Sequence, residues 1–177
     1  MFSRRDLLLG TAGFLATVAL PNQSLACRRR RSSNFPYRSL TKWGGGEKTI
    51  DAAKKWQGTG FIIPSGSPGD NYWVVIVPSS TDQWSHIPTR KCTAAGCADL
   101  PRAHKSYALP NSPEGGLVGK IGSSEPFFVG LYARISITAL ASGGELSLIC
   151  NDDLVNRPGF DDNSGSIRVS YYYDDFR

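Results

Sequence analysis

Tyr72-Trp73-Val74-Val75-Ile76-Val77 decides the fold. An unbroken run of aromatic and β-branched residues suits the crowded interior of a pleated sheet, where stiff branched side chains pack well. Tyr72 and Trp73 are accordingly expected to face the core. Further along, Glu145-Leu146-Ser147-Leu148-Ile149-Cys150 places Leu146, Leu148 and Cys150 on one face of a strand, because side chains alternate with a period of two. Arg134–Leu140 does the same with Ile135 and Ile137, and Ser166–Tyr172 with Ile167, Val169 and Tyr171. Gly60–Ile63, Leu117–Ile121 and Phe127–Val129 complete a set of seven short runs separated by Gly, Pro, Ser and Asn clusters. Only Ile50–Trp56 reads as helical, and it is short. Regularly spaced short strands with turn signals predict an all-β fold: a single-domain antiparallel β-sandwich, jelly-roll-like.

The N-terminus reads as a separate element. Arg4-Arg5 stands directly ahead of the apolar run Leu7–Leu20, which is 14 residues long. A membrane-spanning helix needs about 20 apolar residues, so no stable membrane insertion is expected. Paired arginines, a short apolar segment and the small-residue exit Ser24-Leu25-Ala26 describe a twin-arginine export signal over residues 1–26. That places the working protein in the periplasm or outside the cell. A lipid anchor on Cys27 would require a large aliphatic residue where Ser24 stands. Residues 27–46 are basic and end in Gly44-Gly45-Gly46, which reads as a linker, leaving 47–177 for the domain. The whole chain carries a formal charge of +5, but Arg28–Arg31 dominates it. From Ser32 onward there are 14 basic and 14 acidic residues. A nucleic-acid binder spreads its basic residues over a folded face, so nucleic acid is excluded as a partner.

Cysteines in an exported chain point to an oxidising compartment. Cys92 and Cys97 bracket the turn-forming Thr93-Ala94-Ala95-Gly96, which predicts a disulfide. The rival is zinc, but His86 and His104 have no paired spacing. The pairing of Cys27 and Cys150 stays open. Both cysteines of the predicted disulfide lie in Thr81–Glu114, 34 residues with four prolines and no convincing strand. Unstructured excursions of that length are usually functional or disordered. Catalysis finds no support: there is no Gly-x-Ser-x-Gly elbow, and Ser85 beside His86 reads as a chance neighbour. Asp161 and Asp162 lack the opposed geometry of a hydrolase pair. The chain is therefore expected not to be an enzyme.

The chemistry concentrates in Asn151-Asp152-Asp153-Leu154-Val155-Asn156-Arg157-Pro158-Gly159-Phe160-Asp161-Asp162-Asn163-Ser164-Gly165. Four carboxylates within 11 residues face a single opposing Arg157. Like charges about 4 Å apart repel by about 1 kcal/mol even in water. The loop either splays its carboxylates into solvent, as a plain hairpin turn would, or gathers them round a cation. Calcium takes six to eight hard oxygen ligands in flexible geometry, backbone carbonyls included. There is no EF-hand ladder. Among aromatics, Trp84 and Phe160 lie where a ligand could be bordered.

Four motifs then appear in order: Gly116-Leu-Val-Gly-Lys-Ile-Gly122, Phe128-Val-Gly130, Gly144-Glu-Leu-Ser-Leu-Ile-Cys-Asn-Asp152 and Asp162-Asn-Ser-Gly-Ser166. With Gly60-Phe-Ile-Ile63, Pro68-Gly-Asp70 and Val75-Ile-Val77 upstream, the set resembles the galactophilic bacterial lectin family (the LecA-like domain) over residues 48–172. The resemblance implies a β-sandwich with calcium in the loop joining its last two strands, and a sugar held through the ion. It puts Asp152, Asp162 and Asn163 as side-chain ligands to the metal, with carbonyls at Gly159 and Trp84. Asp153, Asp161, Phe160 and His104 would border the carbohydrate or envelope glycan. Three departures stand out: a longer loop before Asp162, an Asp at 162 in place of Asn, and no counterpart to the family's His-Pro-Asp-Gln sugar contacts. His104 is the nearest substitute. The alternative function is a calcium-stabilised structural or protein-interaction sandwich that binds no sugar.

Overall fold

The computed structural model describes residues 44–65, 72–137, 140 and 142–175. The segment read as an export signal (1–26), Cys27 and nearly all of the linker read over 27–46 lie outside the described residues. Among the described residues, ten strands follow in chain order: β1 (Gly45–Asp51), β2 (Gln57–Ile63), β3 (Tyr72–Pro78), β4 (Trp84–Ile87), β5 (Arg90–Cys92), β6 (Leu117–Ile121), β7 (Phe127–Phe128), β8 (Ala133–Ser136), β9 (Gly144–Cys150) and β10 (Ser164–Asp175). They form two antiparallel sheets. One runs β5-β4-β10-β3-β8 with β1 also paired to β10; the other runs β2-β9-β6-β7. The protein is an all-β antiparallel sandwich.

The core lies between the sheets. Ile50, Ile63, Val74, Ile76, Leu117, Ile121, Leu146, Leu148 and Ile167 are all fully buried there. Each such aliphatic side chain contributes about 2 kcal/mol by leaving water. The alternation read for β9 and β10 holds: Leu146, Leu148 and Cys150 face inward, as do Ile167, Val169 and Tyr171. Tyr171 and Tyr173 join the sheets, their hydroxyls donating to Thr59 O (3.1 Å) and Ile62 O (3.0 Å) on β2.

Four expectations are corrected. The helical reading of Ile50–Trp56 fails: β1 ends at Asp51, and a turn follows. Asp51 closes that turn, its Oδ1 accepting from Ala53 N (3.0 Å), while Gln57 bonds both Asp51 N (3.0 Å) and Asp51 O (2.8 Å). The domain begins inside the glycine run assigned to the linker. A Cβ at Gly45 would meet Tyr171 O at 2.7 Å, so glycine there lets β1 approach β10. Tyr72 is exposed at the start of β3, outside the core. Thr81–Glu114 is not strandless, since β4 and β5 open it. They escape a periodicity reading because Ser85 and His86, both buried, are polar.

Candidate functional site

Where β9 ends, Asn151 is fully buried and stitches two segments together. Its Nδ2 donates to Leu109 O (3.1 Å) and Pro113 O (3.1 Å), and its Oδ1 accepts from Leu109 N (2.9 Å). Its backbone exchanges bonds with Gly115 N (2.9 Å) and Gly116 O (2.7 Å). The far end of the long excursion is thereby fixed against the acidic loop.

The next residue, Asp152, is buried, and each carboxylate oxygen accepts one hydrogen bond. Oδ1 accepts from Asp153 N (2.6 Å) and Oδ2 from Asn163 Nδ2 (2.7 Å). Asn163 Nδ2 also donates to Ala52 O (3.1 Å). With both amide hydrogens committed to acceptors, the amide of Asn163 has one orientation. Its Oδ1 is left buried with no hydrogen-bond partner, and so is Asp162 Oδ1. A buried acceptor without a donor costs about 1–3 kcal/mol, so this pair calls for a cation or a donor from a ligand.

On the other side stands His86, 3 % exposed, in β4. Its Nε2 lies 3.4 Å from Glu114 Oε2 and its Nδ1 3.5 Å from Asp152 Oδ1. Burial opposes the imidazolium, but the neighbouring carboxylates of Asp152 and Glu114 outweigh it and raise the His86 pKa. The Tyr107 ring meets His86 edge-on at 6.0 Å. Burial, reinforced by Glu114, holds the Tyr107 hydroxyl well above its usual range, so it stays a donor. His86, Tyr107, Glu114, Asp152, Gly159 and Asp162 line one cavity of about 290 Å³.

The remaining loop residues explain the loop's shape. Asp153 accepts from Val155 N (2.9 Å) and Asn156 N (2.9 Å) on Oδ1, and from Ser106 Oγ (2.8 Å) and Asn156 Nδ2 (2.8 Å) on Oδ2. These bonds hold its carboxyl well below the usual range against the opposing effect of burial. Gly159 opens a short 3₁₀ turn, Gly159–Asp162, at φ +50°. A Cβ there would meet Asp153 O at 2.8 Å, so the backbone conformation and the close approach both demand glycine.

The structure thus brings Asp152, Asp153, Gly159 and Asp162 to one cavity, with Asn163 bonded to Asp152 beside it, and leaves Asp161, Phe160, Trp84 and His104 out. Asp153 borders the cavity with both oxygens spent on the loop. Asp161 is exposed and pairs with Arg157 at 4.0 Å. Phe160 is not a ligand-bordering ring; its apolar side chain is only 6 % exposed and packs into the core. Trp84 is a strand residue, fully buried, its Nε1 donating to Gly115 O (2.7 Å). Its ring is therefore closed to a ligand. His104 is exposed, its ring 3.4 Å from Ser106 Oγ, and it does not line the cavity. The sequence reading missed His86, Tyr107 and Glu114. His86 and Glu114 sit near the two ends of the excursion, whose length was the one signal that pointed to them. Cys92 and Cys97 form the expected disulfide, with Cα atoms 4.8 Å apart. Among the described residues, no three His, Cys, Asp or Glu side chains form a metal cage by themselves. A metal site here must draw on Asn163 and backbone oxygens. Nor, among those residues, is any helix long and apolar enough to cross a membrane.

No family model matches the chain, and no curated protein matches it. Among solved structures it is similar to one described as "EclA N-terminal domain; PllA-like lectin". The two are 16 % identical with a TM-score of 0.48, and the alignment covers 75 % of this chain and 96 % of that one.

Proposed function

We propose that this chain is an exported carbohydrate-binding protein that holds calcium at Asp152, Asp162 and Asn163 and takes a sugar beside it. One observation carries the reading: Asp162 Oδ1 and Asn163 Oδ1 are buried without partners, next to the carboxylate of Asp152. The donor set is hard oxygen, partly carboxamide, which is the chemistry calcium accepts and softer metals do not prefer. When bound, calcium supplies open coordination positions for vicinal hydroxyls. Around it the chain provides the rest: Tyr107 donates, Glu114 accepts, and His86 holds the Asp152 and Glu114 carboxylates on either side of the cavity. The disulfide and the paired arginines support action in an oxidising compartment outside the cytoplasm.

Calorimetry of the full chain with calcium tests the first half. The expected result is saturable heat and a melting temperature that falls when chelator is added; the absence of both would sink the reading. A glycan array probed with and without chelator tests the second half. A second reading, a calcium-stabilised structural or protein-interaction module, is favoured by the way Asn151 and Asp153 spend their side chains on locking the loop. It prevails if Asp152→Asn lowers stability while no glycan binds.

A further inference from the structure

We infer that Cys92 and Cys97 are positioning residues for this cavity, so that ligand affinity depends on their oxidation state; the inference rests on the calcium reading above. The cystine loop grips the segment that carries Glu114. Cys97 N donates to Glu114 O (2.9 Å), and Leu117 N donates to Ala94 O (2.8 Å). Ala95 bridges Gly116 between them. Cys92 pairs with Trp84 across β4 and β5, two residues from His86. The disulfide therefore ties the strand bearing His86 to the segment bearing Glu114, the two groups that flank Asp152.

Packing at Gly115 makes the tie sensitive. A Cβ built there would lie 3.1 Å from each sulfur and 2.9 Å from His86 Cβ. Both sulfurs and the His86 side chain border that one glycine, with no room for a Cβ between them. Reduction by a dithiol breaks the Sγ–Sγ bond. Two electrons and two protons pass from the dithiol, which closes to its own disulfide, and Cys92 and Cys97 become thiols. The sulfurs then leave a bonded separation of about 2 Å for non-bonded contact at about 3.5–4 Å. The space they take belongs to Gly115 and His86. Displacing either moves Glu114 and His86 relative to Asp152, and the cavity loses its geometry while the sheets keep theirs.

The experiment compares calcium affinity of the full chain when oxidised, when reduced with dithiothreitol, and as Cys92→Ala/Cys97→Ala. Affinity is expected to fall at least tenfold in the last two, with the far-UV spectrum retained. Equal affinity in all three overturns the inference and leaves the calcium reading standing. Absence of calcium binding by the oxidised chain overturns both. Should the reduced chain unfold, Gly115→Ala with the disulfide intact pushes on the same groups and is expected to lose affinity likewise; unchanged affinity there also overturns the inference. The ring resonances of His86, followed by NMR without calcium at fixed pH, are expected to shift on reduction. A merely structural disulfide would leave them in place, and that result overturns the proposal too.

Discussion

The acidic loop Asn151–Asn163 and the excursion Thr81–Glu114 wall the same cavity, but they are held in different ways, one partly by itself and the other from outside. The loop combines both kinds of hold: Asp153 accepts bonds from Val155 and Asn156 and Gly159 turns the chain back under Asp153 O, while Ser106 and Ala52 tie it from outside. The excursion depends on partners far away in sequence. Its end is fixed by Asn151, its start by β10, and its middle by the disulfide. A loop whose other polar groups are nearly all engaged leaves its unsatisfied atoms conspicuous, and here those are Asp162 Oδ1 and Asn163 Oδ1. A loop held from outside delivers side chains such as His86 and Glu114 to a place that nothing nearby in sequence specifies.

Asn151 is the joint between the two regions, so its removal is expected to have the largest effect. Asn151→Ala strands Leu109 N, Leu109 O and Pro113 O, which together should cost roughly 2–3 kcal/mol. Urea denaturation measures it. A loss well below about 1 kcal/mol would mean that the excursion holds its shape without the loop.

Within the acidic loop, Asp153 and Asp162 should separate stability from binding. Asp153 carries four hydrogen bonds, so Asp153→Ala is expected to cost about 1–2 kcal/mol. Asp162→Ala removes a buried oxygen that has no partner. Its calcium-free stability should change by no more than about 0.5 kcal/mol, while the chelator-sensitive part of the melting temperature disappears. If both variants lose calcium response equally, Asp153 is a ligand and the division of labour drawn above is wrong.

The same contrast explains what the sequence made legible. The strands were readable because burial there follows alternation, as in Leu146, Leu148 and Cys150. The ion candidates were readable because their charges crowd a short segment and repel unless something gathers them. Trp84 and Phe160 misled because an aromatic ring near a loop looks available until packing claims it. His86 was passed over because a buried histidine is recognised by its partners, and Asp152 and Glu114 lie 66 and 28 residues away. Their meeting depends on β4 pairing with β10 and on the disulfide, which composition does not encode.

The smallest expected effect lies at the foot of the excursion, away from the cavity. Asp82 accepts from Arg168 Nε (2.9 Å), Nη2 (3.2 Å) and N (3.1 Å). The side-chain hydrogen bond from Arg168 is the largest cause holding its carboxyl well below the ordinary range. A carboxyl with a lowered folded-state pKa adds stability above its unfolded value, about 3.9. That contribution is lost as pH falls from there through the folded-state value. Asp82→Asn should therefore melt slightly lower than the parent at neutral pH, by about two degrees or less, since exposed ion pairs contribute little. The gap should narrow as pH is taken down from about 4 towards 2 and on through the folded-state value. Calcium response should be the same in both proteins, because Asp82 anchors the entrance to the excursion to β10 and touches neither His86 nor Glu114. A gap that persists unchanged in acid would assign the loss to the Ser79–Asp82 turn instead, where Asp82 N donates to Ser79 Oγ at 3.2 Å. The excursion would then be self-supporting at its start.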